Sequence, residues 1–126
     1  MPYYHIEEVE LRAADGSDPR RAVLSDSLRA LDHIARVERV WLLDREGVQL
    51  TSEQLAAAFS EEELQGRPQI TFLIGGAYGF NELVRERANV CWSLSKLTFL
   101  HEWSRALLYE QLYRSAKIRR GEPYHH

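Results

Sequence analysis

The sequence predicts an α/β domain, a mostly parallel sheet with helices on both faces, and three observations point there. Two short unbroken apolar runs, VWLL (residues 40–43) and ITFLI (residues 70–74), read as strands covered on both sides. Segments with helical caps and helical spacing alternate with those runs across short connections. Finally, 126 residues that are 44 % hydrophobic and 28 % charged suffice for one domain, residues 1–126, whose core needs neither disulfide nor metal.

In chain order, residues 5–11 (HIEEVEL) alternate imperfectly and predict a strand nearer a sheet edge. The turn AADGSDP leads into a first helix over residues 17–36. After the VWLL strand, TSEQ opens a second helix over residues 51–59, with Thr51 and Gln54 at capping-box spacing. The ITFLI strand runs into the glycine segment IGGAYGFN. Asn81 is an N-cap for a helix over residues 82–89, with Glu82 favourably charged in its first turn. A fourth helix covers residues 102–118.

On a wheel of 100° per residue, the fourth helix carries two apolar faces. Ala106, Leu108, Tyr109, Leu112, Tyr113 and Ala116 form one, while Trp103, Leu107 and Ile118 form the other. Only Glu110, Arg114 and Lys117 make a polar stripe, so a second subunit is expected over one side. Arg105 falls inside the wide apolar face and therefore needs an anionic or carbonyl partner. An intrachain salt bridge and a ligand both meet that need, and Tyr109 one turn later can stack on the guanidinium.

The net charge of −3 is uneven. Residues 85–120 carry eight bases against three acids, +5, which leaves −8 for the remainder. Such a basic stretch suits either a local contact with a polyanion or simply a solvated helix face. The single Cys91 excludes an internal disulfide and fits a reducing, cytoplasmic setting. Beside Trp92 it reads as core filler rather than a nucleophile. No stretch approaches the roughly 20 apolar residues of a membrane span, and MPYYHIEEVE lacks the basic flank and apolar run of a signal peptide. The histidines His5, His33, His101, His125 and His126 do not combine into a metal-ligand pattern, so no metal is expected.

Two regions invite a ligand. Gly75, Gly76 and Gly79 lie between a buried strand and a capped helix, where ligands of parallel sheets settle and backbone can approach them closely. The spacing fits neither GxxxxGK[ST] nor GxGxxG, so a tight strand–helix turn explains it equally well. Residues 93–126 join a polar loop to the doubly apolar helix and a tail ending Pro-Tyr-His-His, an unusually furnished terminus.

The segments IGGAYGFN, SLSKLTFLHEW and RALLYEQLYRSAKIRRGEPYHH, in that order, closely resemble the RlmH family, small SPOUT-class methyltransferases acting on 23S ribosomal RNA. The resemblance extends back through VWLLDREGVQLTSEQLA. It implies a C-terminal trefoil knot, a homodimer, S-adenosyl-L-methionine as cofactor and methylation of N3 of a pseudouridine within the ribosome. It places the cofactor among Leu43, Gly75, Gly76 and the loop Ser95, Lys96, Leu97, Thr98, Phe99 and Leu100. His101, Arg105, Tyr124 and His125 match positions on the substrate side, with His125 as base or positioner and Arg105 orienting RNA. Family members usually begin with a further strand and helix, so this sequence is expected to be either a truncated or a naturally short member. Two other readings share these features: an RNA-binding module without transfer, and a structural dimer serving protein partners.

Overall fold

The computed structural model describes residues 4–11, 18–36, 38–76 and 78–123. Three strands form one parallel sheet in the order β2-β1-β3, with β1 Val40–Gln49, β2 Thr71–Ile74 and β3 Val90–Ser93. Four helices complete the chain: α1 Pro19–His33, α2 Ser52–Leu64, α3 Glu82–Arg87 and α4 His101–Arg119. Val40 pairs with Thr71 and Leu43 with Ile74 on one flank of β1, while Trp41 pairs with Val90 and Leu43 with Trp92 on the other.

The helix starts follow the local chemistry. Asp18 accepts the Arg20 N–H at 3.0 Å ahead of Pro19, whose fixed φ suits a first turn. Thr51 Oγ1 accepts from the Gln54 N–H at 3.0 Å, and Gln54 Oε1 from the Thr51 N–H at 2.9 Å, the reciprocal box expected from TSEQ. Asn81 Oδ1 accepts from the amides of Leu83 and Val84.

Period-two alternation on β1 divides the core. Trp41 turns to the side of α2 and α4, where it clusters with Leu55, Phe59, Trp92, Leu108 and Leu112. Its ring lies 5.2 Å from Phe59 and 6.0 Å from Trp92, the latter edge-on at 80°, a geometry favoured by aromatic quadrupoles. Val40 and Leu42 have the opposite parity and are equally buried, on the side where α3 contacts both β1 and α1. The expectation of an α/β parallel sheet is met.

One strand expectation needs correction, and one strand was not foreseen. Residues 5–11 join no strand; they run along α4. Tyr4 Oη lies 3.4 Å from Ser115 Oγ, Glu8 pairs with Arg105, and only Ile6 of the heptapeptide packs against the core. In a strand, Ile6 would share its face with Glu8 and Glu10, so neither face offers a continuous apolar strip to bury. The third strand is instead VCWS, which is too short for periodicity to reveal. The first helix also begins later and ends earlier than residues 17–36, because Asp18 caps it and Ile34 is already extended.

β1 outruns VWLL by six residues. Its pairing with β3 slips between Leu43 and Val48, both of which face Trp92. Gly47 makes the slip possible, since a Cβ there would sit 2.5 Å from the carbonyl carbon and oxygen of Cys91.

One buried charge stitches the sheet to α2. Glu62 is 4 % exposed and accepts from Arg39 at 2.6 and 2.7 Å and from Arg67 at 3.4 Å. Burial pushes its pKa up, but these guanidinium bonds outweigh that and hold it below the ordinary carboxylate range.

Candidate active site

The parallel arrangement brings three chain segments to the carboxyl edge of the sheet, where ligands of such sheets bind. Leu43 lies level with the carboxyl end of β2, half-buried and in register with Ile74 on one side and Trp92 on the other, while β1 itself runs on to Gln49. Ile74 leads directly into Gly75 and Gly76, and Ser93 into residues 94–100. The structure thus brings Leu43, Gly75, Gly76 and the start of the 95–100 loop to one end of the sheet.

The glycine segment folds tightly. A Cβ on Gly75 would lie 3.0 Å from the Gly79 Cα, and Gly79 takes a left-handed φ of +72° while its N–H reaches Gly76 O at 3.0 Å. Gly76 is exposed, with the Asp26 carboxylate as neighbour on the α1 side.

Serines shape the second loop. Ser93 Oγ donates to Ser95 O at 2.9 Å, and Ser95 Oγ accepts from the Leu97 N–H at 3.1 Å. Beyond this point the chain is open: Lys96, Leu97, Thr98, Phe99 and Leu100 are all exposed, Leu97 and Leu100 by 69 % each. Leu100 is the N-cap of α4 and supplies no side-chain cap. His101 is the exposed first residue of that helix, and Arg105 follows one turn later.

Arg105 finds its partner inside the chain. Both Glu8 oxygens accept from its guanidinium, and the Tyr109 ring centroid lies 5.1 Å from its Cζ, the stacking anticipated from helical spacing. The hydrogen bonds to Arg105 hold the Glu8 carboxyl below the usual range, and Glu8 raises Arg105 in return. Burial, reinforced by Glu8, pushes the Tyr109 hydroxyl up. Tyr124 and His125 lie outside the described residues.

The +5 of residues 85–120 is mostly neutralised at short range. Arg85 reaches Asp44 at 2.8 Å, Arg114 reaches Glu110 at 2.9 Å, Lys117 reaches Glu122 at 3.0 Å, and Arg119 pairs with Glu63. Arg87 is bound to backbone, donating to Ala35 O at 2.9 Å and Glu38 O at 2.8 Å, where α1 has just ended. Lys96 makes no ion pair among the described residues. Spacing alone missed Asp44, which directly follows Leu43 and ties β1, where its register slips, to α3 through Arg85. Burial and nearby Asp44 raise the Cys91 thiol pKa, which disfavours a thiolate nucleophile. Among the described residues no three His, Cys, Asp or Glu side chains cluster to hold a metal, and no helix is long and apolar enough to cross a membrane.

A parallel α/β sheet with convergent glycine and serine loops is a recognised scaffold for nucleotide-like cofactors. Residues 1–125 match the family model described as "Predicted SPOUT methyltransferase", and the chain belongs to that family. Among its relatives are proteins named Ribosomal RNA large subunit methyltransferase H. The one from Gloeobacter violaceus is 42 % identical over 124 residues, 98 % of this chain and 80 % of the relative. That from Desulfitobacterium hafniense is 39 % identical over 131 residues, covering 98 % and 81 %. That from Dictyoglomus thermophilum is 33 % identical over 126 residues, covering 100 % and 82 %.

Proposed function

We propose that this chain methylates large-subunit ribosomal RNA, taking the methyl group from S-adenosyl-L-methionine and placing it on N3 of a pseudouridine in 23S rRNA on the ribosome. The observation that carries the reading is the meeting of Leu43, Gly75, Gly76 and the 95–100 loop at the sheet's carboxyl edge, in a chain of the SPOUT methyltransferase family.

These residues fit the donor's chemistry. Glycines without Cβ atoms let backbone amides approach the polar part closely. Leu43, Leu97, Phe99 and Leu100 offer apolar surface to an adenine ring, while Ser95, Lys96 and Thr98 supply polar contacts. When bound, the donor supplies a methyl on a sulfonium, already activated for transfer to nitrogen.

The protein's task is placement and proton removal. Arg105 orients the RNA through phosphate or base once Glu8 gives way, Tyr109 keeps the guanidinium flat, and His101 and Tyr124 line the substrate side. His125 accepts or guides the N3 proton. The C-terminal segment forms the family's trefoil knot. A second copy covers Trp103, which is 63 % exposed although it is the largest apolar side chain of α4. The enzyme works as a homodimer in the cytoplasm, where ribosomes are.

A radiolabelled methyl-transfer assay on ribosomes from a strain lacking the modification tests this directly, with mass mapping of the product. Label on a pseudouridine is expected. Donor binding without transfer would reduce the protein to an RNA-binding module, and wild-type turnover of both His125→Ala and Arg105→Ala would remove the roles given to those residues.

A further inference from the structure

We propose that the groove between the first turn of α1 and the glycine segment binds an unpaired nucleotide of the RNA, its base stacked on Tyr78 and its phosphate met by Arg20. The inference rests on the function proposed above and adds an RNA contact on the α1 side of the glycine segment.

The groove is open, about 470 Å³, and lined by Pro19, Arg20, Val23, Leu24, Tyr78 and Asn81. Its size lies within the roughly 300–1,000 Å³ usual for small-ligand sites. Tyr78, Leu24 and the neighbouring Leu83 are each half exposed, an apolar surface a lone soluble domain gains nothing by presenting. An exposed aromatic ring beside a cation is the combination that binds splayed-out nucleotides: the ring stacks on any base and the guanidinium meets the backbone.

The cation is available. Most arginines of the described residues are engaged by carboxylates or carbonyls, including those of the basic C-terminal stretch, whereas the exposed Arg20 side chain makes no ion pair among the described residues. Asp18, two residues before it, is committed to capping α1 and lies 3.9 Å from Arg21. Charge free to meet a polyanion is therefore found beside the glycine segment rather than along α4.

The two walls are also locked together. Ser27 Oγ, fully buried on α1, accepts from the Asn81 N–H at 2.9 Å, and Asn81 in turn caps α3. A groove already fixed before binding loses less ordering entropy when it is filled.

The test measures binding of a fluorescently labelled, unpaired oligoribonucleotide to the full chain across a salt series. Tyr78→Ala should weaken binding about tenfold and Tyr78→Phe should restore it, as stacking requires a ring and not a hydroxyl. Arg20→Ala should weaken binding and lower the salt slope by about one. Affinity for S-adenosyl-L-methionine and the melting temperature should not move in any of the three. Wild-type oligonucleotide affinity in Tyr78→Ala and Arg20→Ala would overturn the proposal, as would weaker ribosome binding with unchanged oligonucleotide binding, which assigns the groove to a protein partner. Methyl transfer by the wild type with unaffected variants removes the groove alone; variant losses in a protein that transfers no methyl remove the enzymatic reading alone.

Discussion

The two halves of α4 share one helix and one apolar pattern, yet they serve different ends. From Leu108 onward, Leu108, Leu112 and Ala116 are buried, the first two in the Trp41–Phe59–Trp92 cluster beside α2. In the N-terminal half, His101, Trp103 and Arg105 remain at the surface, continuing the open loop that carries Leu97 and Leu100. A helical stripe says which residues lie together; the elements packed against it decide which turns are covered. The covered half holds the fold, and the uncovered half is free to bind.

The sharpest way to break this contrast is a pair of tryptophan truncations. Trp41→Ala should cost about 3–5 kcal/mol in urea unfolding, because a full aromatic volume is lost from the core. Trp103→Ala should stay within about 0.5 kcal/mol of wild type under conditions where the chain is monomeric, while sedimentation should show weaker self-association. A Trp103→Ala loss as large as that of Trp41→Ala would make both halves structural and end the comparison.

Slightly below this stands Glu62→Ala, expected to cost roughly 3 kcal/mol because Arg39 and Arg67 lose a buried partner. The same pair sets a pH dependence. The folded pKa of Glu62 lies below its unfolded value, so the pair's contribution is complete above about pH 4.3 and is lost as pH falls through the folded value. Stability of Glu62→Gln measured down an acid series should therefore fall less steeply than that of wild type.

Smaller again, Thr51→Ala should lose about 1 kcal/mol by deleting the capping box of α2, with donor affinity unchanged by calorimetry. The least effect on the fold is expected from Glu8→Gln, since the Glu8–Arg105 pair is solvent-exposed and screened. Its melting temperature should match wild type, but RNA affinity should rise as Arg105 is released. Unchanged RNA affinity would separate Arg105 from substrate binding.

Much of the fold was legible because caps and apolar runs act over a few residues. TSEQ, Asn81 and the two buried strands stand where local chemistry puts them, whereas Arg105, expected inside the apolar face, is exposed because no element covers that turn of α4 and it meets Glu8 at the surface. VCWS was missed and HIEEVEL misread because local pattern could not decide either. A four-residue strand has no measurable period, and a segment with carboxylates on both faces can lie against cations as readily as it can join a sheet. Their partners are distant in the chain: Glu8 meets Arg105, and Val90 pairs with Trp41 of β1.

The site divides in the same way. The sequence by itself determined that a glycine loop follows a buried strand, and that a cation and an aromatic ring lie one turn apart on α4. Only the tertiary structure decided that Leu43 comes level with the strand ends before Gly75 and at Ser93, since strand register is a non-local choice. Charge, too, was settled in space. The formal +5 of the C-terminal stretch is a sum along the chain, whereas a polyanion meets only cations that no nearby carboxylate has already engaged, because attraction at hydrogen-bond distance far exceeds the screened field of a net charge.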